Sequence, residues 1–448
     1  MSSLGDRIRG IVRPPSPKGP GLHRDVGGIL LDPPGPPLHD IERTLGGEWR
    51  DRCFVVERRW DPDARHGRET VGALSERLER SSGEATLFAM GAPRPPFIFF
   101  DLETTGLSGG AGTQVFLVGC GWFAAGGAFV TRQFLLTREA DERALLETVR
   151  TELARAGALV SFNGKSFDAP LLETRYLFHR LEWIGDRVPH VDVLHPARRF
   201  WGTGVGRALQ ARHDRDPERV ALQESGCSLA ALERKIVGAK RAADVPSFEI
   251  PSRYFQFVRT GDARPLVAVL EHNRQDLLTL ATLASRLLHL SRVGPGEACN
   301  AGEALALGRT YARAGCEDRA RDAFVRAIAM SRAPAGAYDP IRIDSLRALA
   351  LAWRRARRFD QAAQCWRQVM EVRGCPPHIA REATEALAIH HEHRVRDLAA
   401  ARGFALRGLD ADVPPAWTKA VQHRLARLDR KLASMKSEVR SLWVEIWP

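Results

Sequence analysis

The sequence predicts an α/β domain with a mixed five-stranded sheet flanked by helices, followed by an all-α domain of helical repeats. Three observations predict it. The run Phe97-Ile98-Phe99-Phe100, preceded by Pro95-Pro96, is wholly apolar and short, as a buried central strand requires. Strand-like and helix-like segments follow it in the order β-β-β-α-β-α, which builds a mixed sheet with covering helices. Beyond Gly294-Pro295-Gly296 the pattern becomes entirely helical and repeats itself.

Each element has its own signature. Residues 1–94 form an N-terminal region, partly flexible, because Met1–Pro37 carries Pro-Pro pairs at 14–15, 33–34 and 36–37 with glycines between them. Within it Cys53–Val56 reads as a short strand and Val71–Leu78 as a short helix, without a fold of their own. The α/β domain covers residues 95–292. After the first strand, Val115–Phe123 and Ala128–Leu136 are strands separated by a Gly126-Gly127 turn. Glu139–Ala156 is an amphipathic helix with Leu145, Leu146, Val149 and Leu153 on one side. Ala158–Phe162 is a strand, Phe167–Arg180 a helix, and Pro265–Leu290 a long closing helix; a further strand precedes Asp192.

The helical domain covers residues 298–435. Leu307, Tyr311, Ala320 and Phe324 recur 42 positions later as Leu349, Trp353, Ala362 and Trp366. A weaker copy, Leu387, His391, Ala400 and Phe404, follows 38 positions on. Small residues alternating with large ones let paired helices interlock and stack into a solenoid. Leu307-Gly308-Arg309-Thr310-Tyr311 resembles the core of a tetratricopeptide repeat, although the intervals exceed the usual ~34 residues.

Composition narrows the function classes. A chain of 448 residues exceeds one ordinary core. Hydrophobic content of 44% with 27% charged residues suits a soluble protein, and no apolar run reaches membrane-spanning length. Met1–Pro20 lacks the apolar stretch of a secretory leader, so a cytoplasmic location is expected. The net charge of +12 suits a polyanionic partner, but the abundance of Arg and Ala is equally a genome-wide bias, so charge alone does not argue for nucleic acid. Seven scattered cysteines form no Cys-x-x-Cys pair, which argues against a zinc ribbon or disulfide framework. His390, His391 and His393 have no further ligands nearby in sequence and read as helix-surface histidines.

The chemistry is carried by carboxylates. Phe100-Asp101-Leu102-Glu103-Thr104-Thr105-Gly106-Leu107 ends an apolar strand in two acids at i and i+2, which leave the same face. Two such charges repel unless a cation lies between them, and oxygen-only ligands suit Mg²⁺ or Mn²⁺. Thr104 and its neighbours offer hydroxyls where a substrate end could approach. A third acid, Asp168, follows a strand and the loop Asn163-Gly164-Lys165, where Asn163 and Lys165 could touch a phosphate or terminal nucleotide. The loop lacks the Gly-x-x-x-x-Gly-Lys-Ser/Thr spacing, which excludes a nucleoside-triphosphatase of that type. A fourth acid, Asp276, lies on the closing helix with His272 one turn earlier on the same face, where a general base can stand. Taken singly, these are ordinary strand-end, helix-cap and helix-surface residues. Asp192 is as readily structural as functional, and Arg198-Arg199 is as readily solvated as phosphate-binding.

In this order the segments resemble the DEDD (DnaQ-like) 3′-to-5′ exonuclease superfamily, whose fold is ribonuclease-H-like. Within it they resemble the YprB-type family, often followed by helical repeats. The resemblance covers roughly Phe97–Leu290 and rests on Phe-Asp-Leu-Glu-Thr-Thr-Gly-Leu, Phe-Asn-Gly-Lys-Ser-Phe-Asp and His-Asn-x-x-Asp. The stretches from His190 to Arg199 and Asp244-Val245-Pro246 are similar to that family as well. The resemblance implies two divalent ions, Mg²⁺ or Mn²⁺, held by Asp101, Glu103, Asp168 and Asp276, with His272 taking a proton from the attacking water. One departure concerns the base. The histidine stands four residues before the last Asp, where the tyrosine subfamily has Tyr; the usual histidine place, five before, is Glu271.

The sequence therefore reads as a metal-dependent nuclease that releases nucleotides from the 3′ end of single-stranded RNA or DNA. Its repeats would recruit a protein partner or orient the nucleic acid. The alternative is a catalytically silent nucleic-acid-binding or scaffold protein acting through those repeats, against which retention of all four acids argues.

Overall fold

The computed structural model describes residues 40–106, 112–202, 227–241, 244–331, 338–409 and 415–446. The expected irregularity of Met1–Pro37, and Leu107 of the first motif, lie outside the described residues.

The sheet has seven strands, not the five expected, in the order β1-β2-β7-β6-β5-β8-β9. These are β1 (Glu48–Arg50), β2 (Cys53–Trp60), β5 (Phe97–Thr104), β6 (Val115–Phe123), β7 (Phe129–Leu135), β8 (Ala158–Ser161) and β9 (His190–Asp192). A small separate hairpin comprises β3 (Arg65–His66) and β4 (Glu69–Thr70). β5 pairs antiparallel with β6 and parallel with β8, so it is central, as its unbroken apolar run requires. The two extra strands come from before residue 95. β2 runs antiparallel to β7 along its whole length, from Phe54 opposite Leu135 to Trp60 opposite Phe129. Its second half, Glu57-Arg58-Arg59, hides the strand from a search for apolar residues. Those polar positions are exposed, and Glu57 stands opposite Arg132, which donates to it at 2.9 Å.

The two faces of β5 enter different cores. Ile98, Phe100 and Leu102 join Leu145, Leu146 and Val149 of α2 (Glu142–Leu153) and Leu171 and Leu172 of α3 (Asp168–Phe178). Phe97 and Phe99 face the other way, into a core with Leu277, Leu280 and Ala284 of the long helix α6 (Arg264–Val293). α1 (Val71–Ser81) packs on that same helix. α4 (Leu194–Trp201) and α5 (Ile250–Thr260) are further helices of this part. Asp101 and Glu103 continue the Phe97–Phe99 face. The acids therefore meet α6 where the apolar contacts end.

The C-terminal region is helical: α7 (Ala301–Arg313), α8 (Glu317–Met330), α9 (Pro340–Arg355), α10 (Phe359–Glu371), α11 (Pro377–His390), α12 (Leu398–Arg407) and α13 (Pro415–Ile446). The recurring residues of the 42-residue spacing fall on successive hairpins. Leu307 and Tyr311 lie on α7 with Ala320 and Phe324 on α8, and Leu349 and Trp353 lie on α9 with Ala362 and Trp366 on α10. The core of α6 runs without a break into these helices, through Leu305, Leu307, Tyr311 and Phe324. Trp201 donates its indole N–H to Glu303 at 3.0 Å, and the Tyr311 hydroxyl donates to the Ser291 carbonyl at 2.6 Å. The histidine cluster is not a surface feature throughout: His390 is buried, and His391 stacks on Phe404.

Candidate active site

The site forms where β5, the loop after β8 and the middle of α6 converge. Asp101 lies opposite Gly119 on β6, and Gly119 lies opposite Gln133 on β7, so three residues form a row across the sheet beneath α6. Gly119 has no side chain for a reason: a Cβ there would stand 2.2 Å from Asn273 Oδ1. In the space it leaves, the wholly buried Asn273 bridges the row. Its amide N–H donates to Asp101 Oδ2 at 2.9 Å, and its carbonyl oxygen accepts from Gln133 Nε2 at 2.9 Å. Gln133 also donates to the Leu270 carbonyl at 2.8 Å, which ties the chain back to α6. The Asp101 carboxylate is thus held in one orientation by two residues with no charge.

Asp168 is the first residue of α3 and is 6% exposed. The loop before it is held by Asp192, the last residue of β9. The Asp192 carboxylate accepts backbone N–H bonds from Asn163 at 2.9 Å, Lys165 at 3.1 Å and Leu194 at 3.0 Å. Asn163 takes the left-handed conformation at φ 71°, and a Cβ at Gly164 would meet Ser161 Oγ at 2.4 Å and Asp168 Oδ2 at 3.1 Å. Asp192 therefore acts on the loop that presents Asp168. Of the residues expected near substrate, Lys165 is exposed, while the Thr104 hydroxyl is turned back to donate to the Gly106 carbonyl at 2.9 Å. A register shift between Glu103 and Thr104 ends the regular pairing at this point.

His272 and Asp276 sit one turn apart on α6. His272 Nδ1 lies 2.6 Å from Asp244 Oδ1, and because a carboxylate only accepts, Nδ1 carries the hydrogen. Nε2 then points toward Asp276 Oδ2 at 3.4 Å. Burial raises Asp244, but hydrogen bonds from His272 and charge from Arg241 outweigh it and hold that carboxyl below the usual range. The other oxygen of Asp276 accepts a bond from Arg241.

Asp101 and Glu103 both feel the charges of Asp168 and Asp276. Asp101 is pushed well above the ordinary carboxylate range, by burial first and then by the charges of Asp276, Glu103 and Asp168. Glu103 is raised by burial and by Asp276 and Asp168. Asp168 is pushed up to about 7 by burial and by Asp192. Asp276 is raised by burial even though His272 and Arg241 pull against it. Such a set of buried, mutually repelling oxygen donors matches the chemistry of a divalent cation. As the side chains stand, no group of three or more His, Cys, Asp or Glu among the described residues is arranged to hold a metal ion.

The family model described as RNase_H superfamily matches residues 98–288. The chain is also 30% identical to the "Uncharacterized protein YprB" of Bacillus subtilis (strain 168), over 85% of this chain and 87% of that protein. The chain belongs to the RNase H superfamily. Members of this superfamily are generally hydrolases acting on nucleic acids and typically use divalent metals, and the matched region contains all four acids.

Several residues of the site carried no assigned role in the sequence. Asn273 lay inside a quoted motif, and Asp244 in Asp-Val-Pro. Gln133 has a signal in retrospect: an uncharged polar side chain buried in a largely apolar strand. Two glycines in Val115–Phe123 mark a close approach in the same way. Arg241 and Glu233 had no signal.

Proposed function

We propose that this chain is a divalent-metal-dependent nuclease that removes nucleotides from the 3′ end of single-stranded RNA or DNA. One observation carries the reading: Asp101, Glu103, Asp168 and Asp276, drawn from three distant segments, load one pocket with mutually repelling negative charge. Asp101, Glu103, Asp168 and Asp276 are the residues that would hold Mg²⁺ or Mn²⁺, as two ions. Bound there, such ions supply the charge that acidifies an attacking water and stabilises the departing 3′ oxygen.

The chain's own residues do the remaining work. Asp244 fixes the His272 tautomer, so that Nε2 faces the pocket and accepts the proton of the attacking water. Asn273 and Gln133 keep Asp101 from turning away. Asp192 shapes the loop from which Asn163 and Lys165 contact the terminal nucleotide or its phosphate, and Thr104 follows Glu103 at the end of β5. The helical hairpins, read as tetratricopeptide-like, offer a surface for a protein partner or for the approaching strand. No helix among the described residues is long and apolar enough to cross a membrane.

The Arg241–Asp276 ion pair favours a second reading, a silent nucleic-acid-binding scaffold, because a decayed site can satisfy an acid with a fixed cation. A nuclease assay separates the two. Single-stranded RNA and DNA labelled at the 5′ end are incubated with the full chain and Mg²⁺ or Mn²⁺. A ladder shortening from the 3′ end, abolished in Asp101→Asn, is the expected result. No cleavage of either strand by the wild type supports the scaffold, and cleavage that persists in Asp101→Asn removes the assignment of these acids.

A further inference from the structure

The four acids are not equivalent, and the difference lies in Arg241. Its guanidinium is buried, with the side chain 7% exposed, and sits between acids on three sides. Nε and Nη2 donate to Glu233 Oε2 at 2.9 and 2.6 Å, and Nη2 also donates to Asp276 Oδ1. Nη1 donates to the two Asp244 oxygens at 3.3 and 3.4 Å. Nη1 also lies 3.4 Å from His272 Nδ1. Glu233 is 3% exposed, and among the described residues its carboxylate bonds only to Arg241. The guanidinium is therefore anchored in place by an acid dedicated to it, unlike a side chain that has swung in from the surface.

On Asp276, one oxygen is taken by Arg241 and the other faces His272. On the opposite side of the pocket, no hydrogen bond from a described residue reaches Glu103 or Asp168, and among the described residues Asp101 is held by the neutral Asn273 amide alone. The pocket is thus divided. Three carboxylates have no cationic partner among the described residues, and the fourth has Arg241.

We infer that Arg241 occupies the Asp276 cation position, so that Asp101, Glu103 and Asp168 take a single divalent ion. A second ion binds only when the guanidinium is removed from Asp276. This rests on the metal-dependent reading above and narrows it from two ions to one ion plus a fixed positive charge. The physical reason is direct. A guanidinium and a divalent ion placed on the same carboxylate repel each other, and Glu233 keeps the guanidinium from retreating.

Calorimetric titration of the full chain with Mn²⁺ tests this without any activity readout. The expected stoichiometry is one ion per chain in the wild type, still one in Asp276→Asn, and two in Arg241→Gln. Because Arg241→Gln alone leaves Glu233 buried without its partner, the double variant Glu233→Gln with Arg241→Gln keeps an amide pair there and is also expected to bind two. Two ions of similar affinity in the wild type would overturn the inference and leave the metal-dependent reading standing. A stoichiometry of one in both Arg241 variants would also overturn it. No ion bound in any form would overturn the inference and the metal-dependent reading together.

Discussion

Two groups of buried carboxylates, Glu392 in the helical region and Asp101, Glu103 and Asp168 in the α/β domain, are treated oppositely. Glu392, in the turn after α11, is met by cations from α13. Arg427 donates to both of its oxygens at 3.0 and 2.7 Å, and Lys431 donates at 2.9 Å. Arg427 chiefly, helped by Lys431, lowers that carboxyl to about 2. In the α/β domain, Asp101, Glu103 and Asp168 meet one another instead, and all three are raised. A buried acid serving structure is supplied with its countercharge by the chain. A buried acid set aside for a ligand is left without one, at a cost in stability that the ligand removes. Arg241 is the place where the second region partly behaves like the first.

The sharpest break of that contrast is catalytic. Asp101→Asn is expected to lower nuclease rate by more than about a hundredfold, above the range for residues that only support a metal ligand. Glu392→Gln, the same chemical change in the other region, is expected to leave the rate unchanged; labelled-oligonucleotide kinetics check both. Next in size are the supports. Asn273→Ala frees Asp101 to rotate and is expected to cost roughly 10–100-fold in Mn²⁺ affinity or rate, read by titration and turnover. Gly119→Ala displaces the same amide by steric contact and is expected to cost about 1–3 kcal/mol in chemical denaturation.

Stability should move in opposite directions. With divalent ions chelated, Glu392→Gln is expected to destabilise by about 1–3 kcal/mol, since charged hydrogen bonds are lost. Asp101→Asn is expected to stabilise by about 0.5–2 kcal/mol, since a repelling charge is removed. The pH dependence sharpens the first value. The folded-state pKa of Glu392 is depressed from 4.5 to about 2, so its contribution is complete above 4.5 and fades as pH falls toward 2. The gap between wild type and Glu392→Gln in urea midpoints should therefore be full at neutral pH and close over that acidic window. A gap that stays constant down to the lower end would mean the Arg427 and Lys431 bonds contribute nothing.

The same contrast explains what the sequence made legible. Asp101 and Glu103 could be read because an apolar strand ending in two same-face acids is a local pattern, and His272 and Asp276 because one helical turn joins them. The central strand followed from its unbroken apolar run, and the helical hairpins from a repeated spacing, in the same local way. Neutralising partners are a matter of long-range placement. Nothing local says that Arg241 reaches Asp276, or that Arg427 reaches Glu392. β2 was missed as part of the sheet for the same reason, because its polar half makes sense only opposite Arg132 of β7. Asp192 was left undecided because its use, gathering three backbone N–H groups, depends on a loop that folds back over it.

The central claim is that Asp101, Glu103 and Asp168 lack a countercharge that a divalent ion provides. Thermal unfolding of the full chain with and without Mn²⁺ tests it most directly, comparing the wild type with Asp101→Asn. A Tm that rises with Mn²⁺ in the wild type, by the equivalent of roughly 2.7 kcal/mol at a hundredfold excess over Kd, is expected, with little or no rise in the variant. An unchanged wild-type Tm, or equal rises in both proteins, would contradict it.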